Sequence, residues 1–252
     1  EICACLVGSE MCIRDRYIAD KKDTKMVAHR GLSGIERENT LLAFVAAGNR
    51  SYWGIECDVH VTKDGKYIVY HDDRTNRQCD RDLALEESTE AEIRSLRVRE
   101  SGKDTFTDSL KLPYLSEYID VCARYGKTAV VELKNPMAPE HIANIVRICE
   151  EGYDLSDVVF ISFCFENLVE VRKIKPRQTV QFLCGEYTDD LLPRLKEHGF
   201  GLDIYYKSLT KERVSDLHKA GIRVNCWTCD DRAEAEELLS WGVDYITTNI
   251  LE

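Results

Sequence analysis

The chain has 252 residues, is 44% hydrophobic and 31% charged, and carries a formal net charge of −11. That length suits one large α/β barrel or two small domains, and the apolar share fills a full core, which excludes a disordered or collagen-like chain. The acidic balance argues against a nucleic-acid partner, which selects a basic face.

Eleven cysteines, an odd number, are scattered along the chain. Cys57, Cys122, Cys149, Cys164 and Cys184 fall inside apolar runs, as buried free thiols of a reducing cytosol do, and a cytoplasmic location is expected. Cys226-Trp227-Thr228-Cys229 forms a CxxC. No second CxxC or histidine pair at zinc spacing accompanies it, so it is read as neither a metal nor a redox site. No apolar run reaches about 18 residues, so no membrane segment is expected in this chain, and no secretory signal is visible.

In chain order, residues 5–16 resemble the translation of a transposon-type sequencing adapter. Residues 1–24 are therefore expected outside the core, and a native leader or membrane segment would lie outside this chain. From Lys25 onward, β-rich runs alternate with amphipathic stretches. Met26–His29 reads as a first strand, followed by a helix opened by Asn39 or Thr40. Gly54–Val59 and Lys66–His71 follow as the second and third strands, separated by a gap too short for a helix. The segment 72–112 is polar, with one helical piece at Thr89–Leu96, and a loop of that length in a compact domain is usually functional. Thr128–Leu133, Val158–Ser162, Thr179–Leu183, Gly201–Ile204, Arg223–Trp227 and Tyr245–Thr248 complete the strands, with helices such as Tyr114–Tyr125 and Arg232–Trp241 between them.

This alternation predicts a parallel sheet with right-handed crossovers, hence a TIM (β/α)8 barrel over 25–252 with a small insertion after the third strand. Nine extended candidates exceed the eight a barrel needs, and Gly201–Ile204 is expected to be the irregular one. A doubly wound open sheet lacks support, because no GxGxxG follows the first strand.

Side chains alternate faces along a strand, so Glu56 and Asp58 share one face, as do Glu132 and Lys134. Carboxylates on otherwise apolar strands are costly to bury unpartnered. A hard cation with oxygen ligands, Mg²⁺ or Ca²⁺ rather than Zn²⁺, satisfies them; a structural Glu–Lys pair is the plainer alternative. His29 and His71 at strand ends beside these acids read as an acid–base pair, and Arg30 as a bidentate phosphate clamp. Gly31 lets the backbone turn there.

Several strings in one order resemble the glycerophosphodiester phosphodiesterases: His29-Arg30-Gly31, Glu38-Asn39-Thr40, Glu56-x-Asp58-Val59, Thr62-Lys63-Asp64-Gly65, His71-Asp72, Leu112-Pro113-x-Leu115-x-Glu117 and Glu132-Leu133-Lys134. Ser162-Phe163, Trp227-Thr228 and Gly242-Val243-Asp244 through Asn249 extend the resemblance weakly to about residue 250. It implies a TIM barrel holding one divalent cation on Glu56, Asp58 and Glu132. His29 and His71 would serve as acid and base, with Arg30 and Lys134 on the phosphate. Phe163 and Trp227 would form a wall for a small-molecule glycerophosphodiester, hydrolysed to glycerol 3-phosphate and an alcohol. The insertion would cover the site and help choose that alcohol. Two departures bear on substrate choice: Arg37 stands where relatives commonly carry proline, and 72–79 lacks their usual Thr-rich pattern. The alternatives are a lipid phosphodiesterase acting on lysophospholipids or phosphoinositides, which needs an apolar rim, and an inactive metal- or phosphate-binding barrel, which needs a lost histidine or acid.

Overall fold

The computed structural model describes residues 16–252; the expectation for residues 5–16 therefore lies, Arg16 aside, outside the described residues. Eleven strands are described: β1 Lys25–Ala28, β2 Gly54–Val61, β3 Tyr67–Val69, β4 Val98–Arg99, β5 Phe106–Thr107, β6 Thr128–Leu133, β7 Val158–Ser162, β8 Val180–Cys184, β9 Gly201–Tyr205, β10 Val224–Trp227 and β11 Tyr245–Thr248. Eight of them run parallel in the order β1-β11-β10-β9-β8-β7-β6-β2, and pairing of Val27 with Gly54 and Ala28 with Ile55 closes the ring. The fold is the expected TIM barrel.

The ninth candidate is resolved differently from the expectation. Gly201–Tyr205 is a regular barrel strand, paired with β8 and β10. The odd member is Tyr67–Val69, which pairs antiparallel with β2 outside the ring. The turn Thr62–Gly65 is too short for a crossover, so the chain can only fold back on the strand it has just left. Gly65 takes φ +75 there, a conformation open to a residue without Cβ.

Three apolar clusters separate by position. The largest lies between barrel and helices and includes Phe44, Cys57, Tyr118, Leu133, Phe160 and Leu202. A second fills the lumen with Val27, Val130, Val159, Ile161, Leu183 and Tyr245. Lys25 lies 4.7 Å from the centre of the Trp53 ring and closes the strands' amino-terminal end. The third belongs to the insertion, where Cys79, Leu85, Ile93, Leu96 and Val98 pack on Ile68 and Tyr70 of the hairpin. The helix Glu90–Arg94 inside it opens on a capping box between Thr89 and Glu92. Packing also reaches ahead of Lys25: Ile18 is buried in the main cluster and bonds backbone to backbone with Glu252.

Cys57, Cys122 and Cys149 are buried free thiols, but Cys164 and Cys184 are only partly covered, because each sits at or just beyond the open end of its strand. Cys226 and Cys229 are buried and free, and their sulfurs point at separate backbone carbonyls, those of Tyr245 and Asp231. No helix among the described residues is long and apolar enough to cross a membrane.

Candidate active site

Strand alternation brings Glu56 and Asp58 from β2 beside Glu132 from β6, with Asp58 in register with Glu132. All three are buried, and one oxygen from each lies within 4.8 Å of the others. Burial first, and then the neighbouring carboxylates, push the Glu132 carboxyl up to about 8 and raise Glu56 well above the carboxylate range. Asp58 goes the other way: burial would raise it, but Lys134 and Arg30 hold it low. Lys134 Nζ sits 2.9 Å from Glu132 and 3.4 Å from Asp58, and Arg30 Nε sits 3.4 Å from Asp58. Asp58 Oδ1 is nonetheless buried with no hydrogen-bond partner. Three crowded carboxylates resisting joint ionisation, one with an oxygen that no hydrogen bond satisfies and only Lys134 faces, fit a hard divalent cation; an apolar-lined ion pair would not need the third acid.

The backbone after β1 is bent to serve these acids. Arg30 and Asn39 both take φ 54, in the left-handed region that non-glycine residues avoid at a cost of about 1–3 kcal/mol each. The bend lets Arg30 N donate to Glu56 Oε2 at 2.7 Å and Asn39 Nδ2 to Asp58 Oδ2 at 2.7 Å. Gly31, at φ +77, passes so close to Ala43 that a Cβ would meet its backbone at 2.6 Å, so only glycine makes this turn.

His29 follows β1 as expected. Its Nδ1 lies 2.7 Å from Asn249 Oδ1, whose amide is oriented by donation from its Nδ2 to Asp230 Oδ2. Since Asn249 Oδ1 can only accept, His29 Nδ1 carries the proton and Nε2 is the free acceptor. Burial, and then Arg30, lower the His29 imidazole to about 4. His71 arrives by a different route from the one expected. It does not end a barrel strand; the antiparallel hairpin carries it back down to the acids. Its Nδ1 lies 2.6 Å from Asp72 Oδ1, and its pKa is lowered by burial against the pull of Asp58.

His29, Arg30, Glu56, His71, Glu132, Phe163 and Trp227 all line one cavity of about 170 Å³ at the carboxyl ends of the strands. Asp58 and Lys134 stand behind it and reach it through their ion pairs. Of the nine site residues expected, seven line this cavity, and Asp58 and Lys134 are ion-paired to residues that do.

Sequence reasoning missed four contributors. Glu38 receives Arg30 Nη1 at 2.9 Å and holds the guanidinium. Arg77, from the insertion, donates to both Glu38 oxygens and through Nε to Asp72, so one side chain braces the partner of Arg30 and the partner of His71. Asp230 orients Asn249, and Asp203 lines the far wall. Glu38 lay inside a quoted motif; Arg77 sat in the divergent segment, and its role depends on contacts 39 residues apart. Arg37, the departure from proline, donates to the backbone carbonyls of Arg99 and Glu100 and ties the insertion to this loop.

Residues 29–252 match the model of the glycerophosphoryl diester phosphodiesterase family. The chain belongs to that family. A glycerophosphodiester phosphodiesterase of Bacillus subtilis is 31% identical over 88% of this chain and 82% of its own length. One of Caldanaerobacter subterraneus is 27% identical over 90% and 94%. Among solved structures, an Oleispira antarctica phosphodiesterase in complex with the product sn-glycerol-3-phosphate superposes with a TM-score of 0.81 at 27% identity, covering 89% of this chain and 92% of that one. The family's reaction, hydrolysis of glycerophosphodiesters, is an activity the chain shares as an enzyme of the phosphoric diester hydrolase class. Its substrate is a small molecule.

Proposed function

We propose that the chain hydrolyses glycerophosphodiesters by metal-dependent acid–base catalysis at this cavity. The observation that carries the reading is the convergence of two histidines on a cluster of three buried acids, two of which line the same cavity, with Arg30 and Lys134 paired to these acids. Glu56, Asp58 and Glu132 would hold one Mg²⁺ or Ca²⁺, which when bound neutralises charge on the non-bridging phosphate oxygens. Arg30 and Lys134 add fixed positive charge where the transition state gains negative charge.

His29 is the better base. Its protonated Nδ1 leaves Nε2 free, and a pKa near 4 keeps it neutral at physiological pH. It takes a proton from water or from the neighbouring glycerol hydroxyl as that oxygen attacks phosphorus. His71, whose imidazolium Asp72 supports, gives a proton to the alkoxide as its bond to phosphorus breaks. The insertion 72–112, tied to the loop after β1 and through Asn135 to the loop after β6, serves as a side wall that helps choose the alcohol. The reading is tested by assaying purified protein against several glycerophosphodiesters with Mg²⁺ or Ca²⁺ and with EDTA. Glycerol 3-phosphate is expected only when the cation is present; equal release in EDTA would refute it.

A further inference from the structure

The reaction occupies the carboxyl ends of the strands and leaves the other end of the barrel without a role. There a cleft of about 270 Å³ opens where β8, β9 and β10 begin. Four basic side chains line it. Arg172 and Lys196 come from the last turns of the helices Phe165–Ile174 and Leu191–His198, Arg177 from the turn before β8, and Arg223 from just ahead of β10. No carboxylate is among its described lining residues, in a chain whose net charge is −11.

Basic groups near helix carboxyl ends have an ordinary explanation, since the last carbonyls attract them. That covers Arg172 and Lys196, but Arg177 and Arg223 lie on no helix. Ion pairing does not account for the group either. Arg172 Nη1 donates to the Gln178 carbonyl at 2.8 Å, and Arg223 Nη1 to the Tyr245 hydroxyl at 3.0 Å. These bonds to neutral oxygens hold two guanidinium groups in place without a carboxylate on either. Arg177 and Lys196 form no side-chain hydrogen bond or ion pair among the described residues. Their neighbours do: Lys173 meets Glu170 and Lys175 meets Glu150. Asp244, whose charge acts on Arg223, lies outside the lining and is engaged by His218 Nε2 and the Val224 amide, each at 2.8 Å.

The floor of the cleft is apolar, formed by the buried Val180, Leu195, Phe200 and Ile222. Walls of low dielectric strengthen the field of charges set around them. Four cations call for more than one negative charge, and the arginine fork matches the oxygens of a phosphate. The space admits a phosphate with a few carbons attached and would hold a halide loosely. An extended polyanion would meet the negative charge of the rest of the chain, whereas a small anion enters the cleft alone. We propose that this cleft binds a phosphate dianion, either free or as the head of a small phosphomonoester. The proposal does not depend on the reading of the active site at the opposite end.

The test is calorimetric titration of the whole, metal-stripped chain in chelator-free buffer with orthophosphate, with glycerol 3-phosphate and with succinate. Saturable binding of at least one phosphate compound is expected, and the tighter of the two tells the free anion from the monoester. The double variant Arg177→Ala, Lys196→Ala removes no bond of the fold. It should weaken that binding by about ten-fold or more, with melting temperature and diester hydrolysis as in the wild type. Arg30→Ala, at the other end of the barrel, should leave the affinity as it was. If the double variant does not fold, Arg177→Ala alone reads the same loss. Absence of binding overturns the proposal. So does binding that Arg30→Ala abolishes and the double variant leaves unchanged, which would seat the anion in the active site. Succinate bound as tightly as phosphate overturns it too, since the cleft would then attract any dianion.

Discussion

The two sides of the barrel lumen carry their charge in different ways. On the side of β1, β2 and β6, the ionisable groups have polar partners: Lys134 meets Glu132 and Asp58, Arg30 meets Asp58 and Glu38, and His29 meets the Asn249 amide. On the side of β8, β9 and β10, Gln181, Asp203 and Asn225 supply one buried polar side chain per strand, among leucine, isoleucine and aromatic rings. The first side is dense enough to need several polar residues at fixed spacing, which is why it reads as a motif. The second spends one polar residue per strand and looks like ordinary core. The difference teaches that several charges crowded into one buried space must be fixed by a network, whereas isolated polar groups can be held inside an otherwise apolar wall.

Substitutions break or sharpen that contrast. The largest effects belong to the crowded side. His29→Ala and His71→Ala should each lower kcat by about 10²–10⁴-fold with smaller changes in KM, measured by steady-state release of glycerol 3-phosphate. Near wild-type rates in both would dissolve the contrast. Glu56→Ala and Asp58→Ala should cost on the order of 10²–10³-fold, and calorimetric titration should find cation binding lost while circular dichroism shows a folded barrel.

Arg77 lies next in size. Arg77→Ala removes one brace shared by Glu38 and Asp72, and is expected to lower kcat/KM by about ten-fold through misplacement of Arg30 and His71. Lysine should rescue it poorly, because it cannot span both carboxylates with a planar fork. Rescue as full as the wild type would show that charge alone suffices.

The smallest effect is one of stability in the metal-free protein. The Glu132 carboxyl, raised to about 8 in the fold, binds its proton more tightly there than in the unfolded chain. Its contribution is therefore fully present at low pH and is lost as pH rises toward 8. His29, lowered to about 4, works oppositely, but only below the ordinary imidazole value near 6.5. Between those limits the melting temperature should fall with rising pH in EDTA, and saturating Mg²⁺ or Ca²⁺ should flatten the slope. A slope that the cation leaves unchanged would detach the acids from metal binding.

Much of the site was legible before any coordinates. Face alternation alone puts Glu56 with Asp58 and Glu132 with Lys134, and both pairs do face the lumen. Asp203 obeys the same rule, lying between outward Leu202 and Ile204, but a single inward carboxylate gives no spacing to notice. The strand count went astray at Tyr67–Val69 and Gly201–Tyr205 because pairing direction is not written in a local apolar pattern.

By itself the sequence determined the barrel, through alternating runs that can bury their faces only as parallel strands covered by helices, and the acid-lined half of its lumen, through polar residues at period two on apolar strands. Tertiary structure alone decided three further matters. The hairpin's return brings His71 level with the acids, because a four-residue turn permits no crossover. Arg77 reaches Glu38 and Asp72 because the insertion's own small core holds it over the loop after β1. Asp203 comes to face the acids because closing the ring sets β9 across the lumen from β6, where burial and Glu132 raise its carboxyl well above the carboxylate range, an arrangement made of distances between strands that no stretch of chain contains.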